Sequence, residues 1–227
     1  MKSLLICLGL LCSLGHAQIV RSHGLSQCSS ATTCASPSMT VKAGDSIFVS
    51  CGSSSLPTIN TPTDGGSNTY TAIDAQTVHG LSEDKSFRAD NATGFTGTIS
   101  CNLSFAATIG VAVVVIGQTS GFDTSATVKT YSSTASPWTS NVITTSNPGE
   151  VLVTCIANDT VSHTFTAPTG FTLSDANTNF GCATQVVTAV QSATTYSWMG
   201  TGAADNILVS VAAFTGIQVS SHRPLSF

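Results

Sequence analysis

Gly44-Asp45-Ser46-Ile47-Phe48-Val49-Ser50-Cys51 returns later in the chain as Gly149-Glu150-Val151-Leu152-Val153-Thr154-Cys155. Each copy starts with a turn-forming glycine and an acid, then runs into a short apolar stretch. Each also opens a comparable series. The first series closes in Gly110-Val111-Ala112-Val113-Val114-Val115-Ile116-Gly117, the second in Asn206-Ile207-Leu208-Val209-Ser210-Val211-Ala212-Ala213-Phe214-Thr215-Gly216. Runs this apolar but only strand-length suit strands buried on both faces. The equivalent Asp45 and Glu150 are expected to serve the turn, not chemistry.

Outward from these runs, period-two alternation, β-branched residues and bounding Gly, Pro, Asn or Asp predict strands over 38–42, 46–51, 69–74, 85–90, 96–104 and 110–119. A second series is predicted over 150–157, 171–176, 182–190, 194–200 and 206–215. No stretch carries a 3.6-residue apolar stripe. The expected fold is all-β, a β-sandwich of jelly-roll or Ig-like type built from two similar halves of about five strands each. The sandwich spans 38–217, with halves 38–121 and 149–217 joined by a Ser/Thr-rich bridge over 122–148. Two tandem Ig-sized domains are the alternative, and the bridge is long enough for either.

The start reads as a secretory signal over 1–17. Lys2 supplies the charge, Leu4 to Leu14 an apolar run too short to span a bilayer, and Gly15-His16-Ala17 the small residues before cleavage. Cys7 and Cys12 follow bulky residues, which argues against lipidation. Residues 18–37 read as a polar leader and 218–227 as a tail. No later run is long and apolar enough for a membrane helix, so the expectation is a secreted or cell-surface protein, with the periplasm as an alternative.

Charged residues are 8% of the chain, against roughly 25% in ordinary globular proteins. Ser, Thr and Asn take their place. Such a surface lacks the basic density that neutralises phosphates, so nucleic acid is excluded as an expected partner. The net charge of −4 selects no particular partner.

Outside the signal six cysteines remain: Cys28, Cys34, Cys51, Cys101, Cys155 and Cys182. An even count in an exported chain favours disulfides, which could connect in fifteen ways. Alternation puts Cys51 on one face with Ile47 and Val49, Cys101 with Ile99, Leu103 and Phe105, and Cys155 with Val151 and Val153, so these three should point into core. The preferred pairing is Cys28–Cys34, Cys51–Cys101 and Cys155–Cys182. Zinc is not expected, because no Cys-x-x-Cys spacing exists and no histidine lies near in sequence.

Catalytic signals are absent from the local sequence. There is no Gly-x-Ser-x-Gly elbow and no His-Glu-x-x-His helix. The histidines His23, His79, His163 and His222 fall in expected loops or tails. Glu83-Asp84 and Asp64-Gly65-Gly66 are the nearest approaches to a calcium loop and lack its density of acids. No cofactor or metal is expected. Trp138, in Ala135-Ser136-Pro137-Trp138-Thr139, is the best candidate for stacking on a sugar ring, with Tyr131 second; the alternative is a plug closing one end of the sandwich.

Several stretches resemble an exported bacterial β-sandwich module that carries no assigned function. They are Val41-Lys42-Ala43-Gly44-Asp45, Ser67-Asn68-Thr69-Tyr70-Thr71, Ser146-Asn147-Pro148-Gly149-Glu150-Val151-Leu152-Val153, Ala167-Pro168-Thr169-Gly170-Phe171-Thr172-Leu173 and Val211-Ala212-Ala213-Phe214-Thr215-Gly216. These are turns and strands, so the resemblance implies an Ig-like or jelly-roll-like fold on a surface protein and brings no catalytic residues. The expectation is a secreted, non-catalytic structural or adhesive protein that binds itself or cell-surface glycans. A carbohydrate-binding module is the alternative, and a glycan-directed hydrolase comes after it.

Overall fold

A computed structural model describes residues 19–159 and 162–216. The expected signal and the tail over 218–227 lie outside the described residues. Seventeen strands follow in chain order, and the described residues contain no helix. The first nine are β1 (Ile19–Ala35), β2 (Met39–Val41), β3 (Ser46–Ser54), β4 (Ile59–Asp64), β5 (Thr71–Ala72), β6 (Thr77–His79), β7 (Ser82–Ala89), β8 (Phe95–Gly97) and β9 (Ile99–Gly117). The rest are β10 (Thr119–Thr134), β11 (Trp138–Thr139), β12 (Glu150–Asn158), β13 (Thr164–Thr166), β14 (Thr172–Ala176), β15 (Phe180–Val187), β16 (Ser197–Thr201) and β17 (Asp205–Gly216).

Two antiparallel sheets form the centre. The first runs β1-β9-β3-β7-β5, with β4 also pairing β9 and β6 pairing β7; the second runs β10-β17-β12-β15-β14. Ranked by chain position, the five path strands of both sheets read first, last, second, fourth, third. The order is the same because each sheet starts on a strand that the sequence hides. Residues 18–37, expected as a leader, contain β1, a 17-residue strand along β9. Residues 122–148, expected as a bridge, contain most of β10, which runs along β17. Both are edge strands, half in solvent. They therefore need no continuous apolar face, and their Ser/Thr composition masked them. The expected strands 96–104 and 110–119 are joined within the single long β9.

The sheets pack face to face. Phe48, Val114 and Ile116 of the first meet Val151, Val153, Leu208 and Phe214 of the second in one core. The outer face of the first sheet carries Ile47, Val49, Val111, Val113 and Val115, covered by β2, β4 and the first part of β9. The outer face of the second carries Leu152, Ile156, Val209 and Val211. It is covered by the small β11-β16-β13 sheet and by Ile143. Both central sheets are thus buried on both sides, which explains the unbroken apolar runs of β3, β9, β12 and β17.

Three disulfides staple this arrangement: Cys28–Cys34, Cys51–Cys101 and Cys155–Cys182. These are the preferred pairs, yet the two long-range bonds differ in kind. Each opening turn has a left-handed glycine, Gly44 or Gly149, and two residues after it Ser46 opposes Ile116 and Val151 opposes Phe214. Counted from there, Cys51 falls opposite Val111 and Cys155 falls opposite Ser210, one residue earlier. A one-residue shift on a strand reverses the face. Cys51 therefore points outward, to Cys101 in the covering layer, whereas Cys155 points between the sheets, to its directly opposed neighbour Cys182. In the chain-entropy model, loops of 50 and 27 residues make each bond worth about 3–4 kcal/mol. Phe105 departs from its expected face and is 47% exposed.

Candidate functional site

Trp138 is 1% exposed. It sits in β11 opposite Trp198, its ring edge-on to His163 and Phe165, and its Nε1 donates to the Thr134 carbonyl at 2.9 Å. Gly200 lies beneath the ring, where a β-carbon would come within 2.6 Å of it. Tyr131 is half-buried; its hydroxyl donates to the Thr139 carbonyl and accepts from the Thr139 amide. The expected sugar-stacking site at Trp138 and Tyr131 is therefore corrected. Both rings are committed to the layer over the second sheet, because that face needs large apolar cover.

The carboxylates also have structural partners. Asp64 accepts from the amides of Gly66 and Asn68, the Asn68 side chain and the Tyr70 hydroxyl, a closed turn network. Burial, then Asp64, pushes the Tyr70 hydroxyl up. Glu83 and Asp84 are neighbours on a strand and so face opposite ways. Glu83 reaches outward to Gln76, and Asp84 inward to Ser50 at 2.7 Å. Burial, then the charge of Asp74, raises Asp84 to about 7. Among the described residues no group of three or more His, Cys, Asp or Glu is placed to hold a metal ion.

Histidines act as latches. His23 on β1 meets Asp175 on β14 at 2.6 Å, and His79 meets Ser132 of β10 at 3.0 Å, so each joins one sheet to the other. His163 is buried, with Nδ1 at 2.9 Å from the Thr201 carbonyl and Nε2 at 3.5 Å from Asp205.

Two features remain open to a partner. One is the edge of the first sheet. β1 pairs only with β9, and from Ser22 to Cys28 its register is unbroken. It contains no proline; Arg21 is paired with Asp45, and the His23 ring meets Asp175. The β10 edge is less regular: it carries four register shifts, and the Asn141 amide donates to its Thr127 carbonyl. Bulges and side-chain caps of this sort blunt an edge.

The other is a cleft of about 250 Å3 at the end of the sandwich away from the opening turns. Gly52 and Gly110 face each other across β3 and β9, so its floor is bare backbone. Phe180 from the second sheet lies against both glycines. Gln27, Ser54, Thr108, Asp159 and Asn179 contribute the polar lining. Ser82 ties the halves together there, donating to the Asn158 carbonyl at 3.0 Å. The adjoining loop holds Ser55 at φ 71° and Leu56 at φ 61°. Two successive non-glycine residues in the left-handed region cost about 1–2 kcal/mol each. A hydrogen bond from the Ser55 amide to the Leu81 carbonyl holds the loop, and Leu56 and Leu81 stand exposed beside it.

Sequence reasoning passed over this cleft. The signal was there, since a glycine inside a buried strand marks a close approach or missing volume. Gly110 interrupts the most apolar stretch of the chain, and Gly52 follows a core cysteine. Comparison with protein families, curated proteins and solved structures finds no match for the chain.

Proposed function

We propose that this chain is a secreted, non-catalytic structural or adhesive β-sandwich protein that associates with further copies through the β1 edge. The observation that carries the reading is the unbroken run Ser22–Cys28, paired on one side only. Such an edge presents a row of backbone donors and acceptors that another strand can take up. Three disulfides suit an oxidising compartment. A Ser/Thr surface with few charges offers little repulsion between copies. The cleft favours binding over bond cleavage: Asp159 accepts hydrogen bonds from the Leu81 amide and the Asn206 side chain, and the Glu83 carboxyl points to the opposite face of its sheet.

Light scattering after size exclusion, with negative-stain microscopy, tests the reading. The mature chain is expected to form concentration-dependent assemblies, and Ser26→Lys with Ser29→Lys is expected to return it to monomer. A strict monomer at every concentration, adhering to no surface, rejects the proposal.

A further inference from the structure

We propose that the cleft between the two sheets is a binding site for a neutral, hydroxyl-rich group the size of one sugar ring. The site is separate from the β1 backbone edge, so it stands or falls independently of self-association.

A β-carbon on Gly52 would sit 3.2 Å from the Phe180 ring, so any side chain there would press the phenylalanine back by a few tenths of an ångström. Gly110 is different. A β-carbon there would meet nothing closer than 3.9 Å, so the protein could fill this volume at no steric cost and does not. At about 250 Å3 the cleft falls just below the range of about 300–1,000 Å3 usual for small-molecule sites. That admits one ring and excludes a buried oligosaccharide. Phe180 supplies the apolar wall that the C–H face of such a ring requires.

The Gln27 Oε1 accepts from Asn177 at 3.2 Å, and the Asn179 Oδ1 accepts from Thr178 at 3.0 Å. Those bonds occupy the acceptor end of each amide and leave the NH2 end, a double donor, without a partner among the described residues. The Thr108 and Ser54 hydroxyls likewise donate to nothing there. Opposite them the Leu81 backbone amide and the Asn206 side chain hold Asp159 by its Oδ2, and its Oδ1, 3.4 Å from the Ser82 oxygen, keeps a lone pair for a ligand hydroxyl. Two amide donors, two hydroxyls and one carboxylate acceptor match a group that both donates and accepts at several points.

No Lys or Arg lines the cleft. A phosphate, sulfate or carboxylate would meet Asp159 with no cation to offset it, and an ammonium would meet the donor ends of Gln27 and Asn179, so the ligand is neutral. The strained Ser55-Leu56 turn directly follows Ser54 on the rim, so the protein holds this wall in place at a conformational cost.

The test uses the full mature chain. One arm titrates free methyl glycosides of glucose, galactose and mannose by NMR. A second arm applies a glycan array carrying neutral, sialylated and sulfated termini. The expected result is saturable binding of a neutral sugar, weakened at least tenfold by Asn179→Ala and by Gly110→Ala at unchanged melting temperature. Binding of free glycosides identifies a soluble sugar as sufficient; binding on the array alone identifies a glycan terminus. No neutral binding in either arm, preference for the charged termini, or affinity untouched by both variants overturns the proposal. Should either variant shift the melting temperature, Gln27→Ala, on an exposed side chain, replaces it with the same expectation.

Discussion

The two central sheets open on turns that look alike and are held by opposite electrostatics. Gly44 and Gly149 both take the left-handed conformation, at φ 86° and 74°, and the acids that follow, Asp45 and Glu150, are both buried. On the neighbouring edge strands Val20 opposes Ile116 and Phe122 opposes Phe214, so Arg21 and Asp123 occupy the same place. In the first sheet Arg21 Nε donates to Asp45 at 2.7 Å and the Lys42 amide donates to the other oxygen at 2.9 Å. In the second sheet the facing group is itself an acid. Burial first, then the charge of Asp123 and a hydrogen bond between the carboxyls, push Glu150 up to about 7. The Asn147 and Ser146 amides complete the pair, at 3.2 Å to Glu150 and 2.8 Å to Asp123. The same turn therefore holds an ion pair in one sheet and a carboxyl of raised pKa in the other. What it requires is that the buried acid have a partner, because an unpaired buried charge is what the fold cannot carry.

The largest expected effect comes from the disulfides that distinguish the same two opening strands. Replacing Cys51 and Cys101 together by alanine should cost about 4 kcal/mol in denaturant unfolding, and replacing Cys155 and Cys182 about 3.5 kcal/mol. Near-equal losses would mean that loop length governs both, regardless of which face the bond occupies. Next comes Arg21→Ala, which strands Asp45. Removing one partner of a fully buried pair costs about 3–5 kcal/mol; Arg21 keeps some solvent contact, so about 2–4 kcal/mol is expected in the same measurement.

The second turn should answer to pH instead. Glu150 has a folded pKa above its ordinary value near 4.5, so its stabilisation is complete below about 4.5 and is lost as pH rises through about 7. Asp84, raised from 3.8 to about 7, adds a loss in the same direction. Thermal unfolding should thus show a stability falling between pH 5 and pH 8, by about 1–3 kcal/mol per group. Glu150→Gln should flatten part of that fall, and Arg21→Ala should leave its shape alone. The smallest effect is expected from Asp123→Asn at pH 8. It removes the repulsion and should change stability by less than about 1 kcal/mol, in the stabilising direction if any. A loss as large as that of Arg21→Ala would end the comparison.

How much of this the sequence disclosed depends on burial. β3, β9, β12 and β17 are covered on both faces and advertise themselves as continuous apolar runs. β1 and β10 lie beside them in the same sheets and were invisible, because one flank faces water and serine or threonine suffices there. The same logic misplaced Trp138. Its neighbours Ser136 and Pro137 read as a loop, yet the small outer sheet over Ile156 and Val209 needs a large ring to complete its cover. The cleft was half legible. Gly52 and Gly110 stand out in their strands, but that they oppose one another depends on register, and that Phe180 arrives from the other sheet depends on how the sheets face.

Hydrogen exchange across residues 18–227 reaches the central claim most directly: that residues 19–35 and 119–134 are edge strands of the two stacked central sheets. The amides of Val111–Ile116 and Ile207–Phe214 should exchange slowest, with every other amide of Ser22–Cys28 protected by β9. Uniformly fast exchange over 19–35 and 119–134, as in an unstructured leader and linker, would contradict the account.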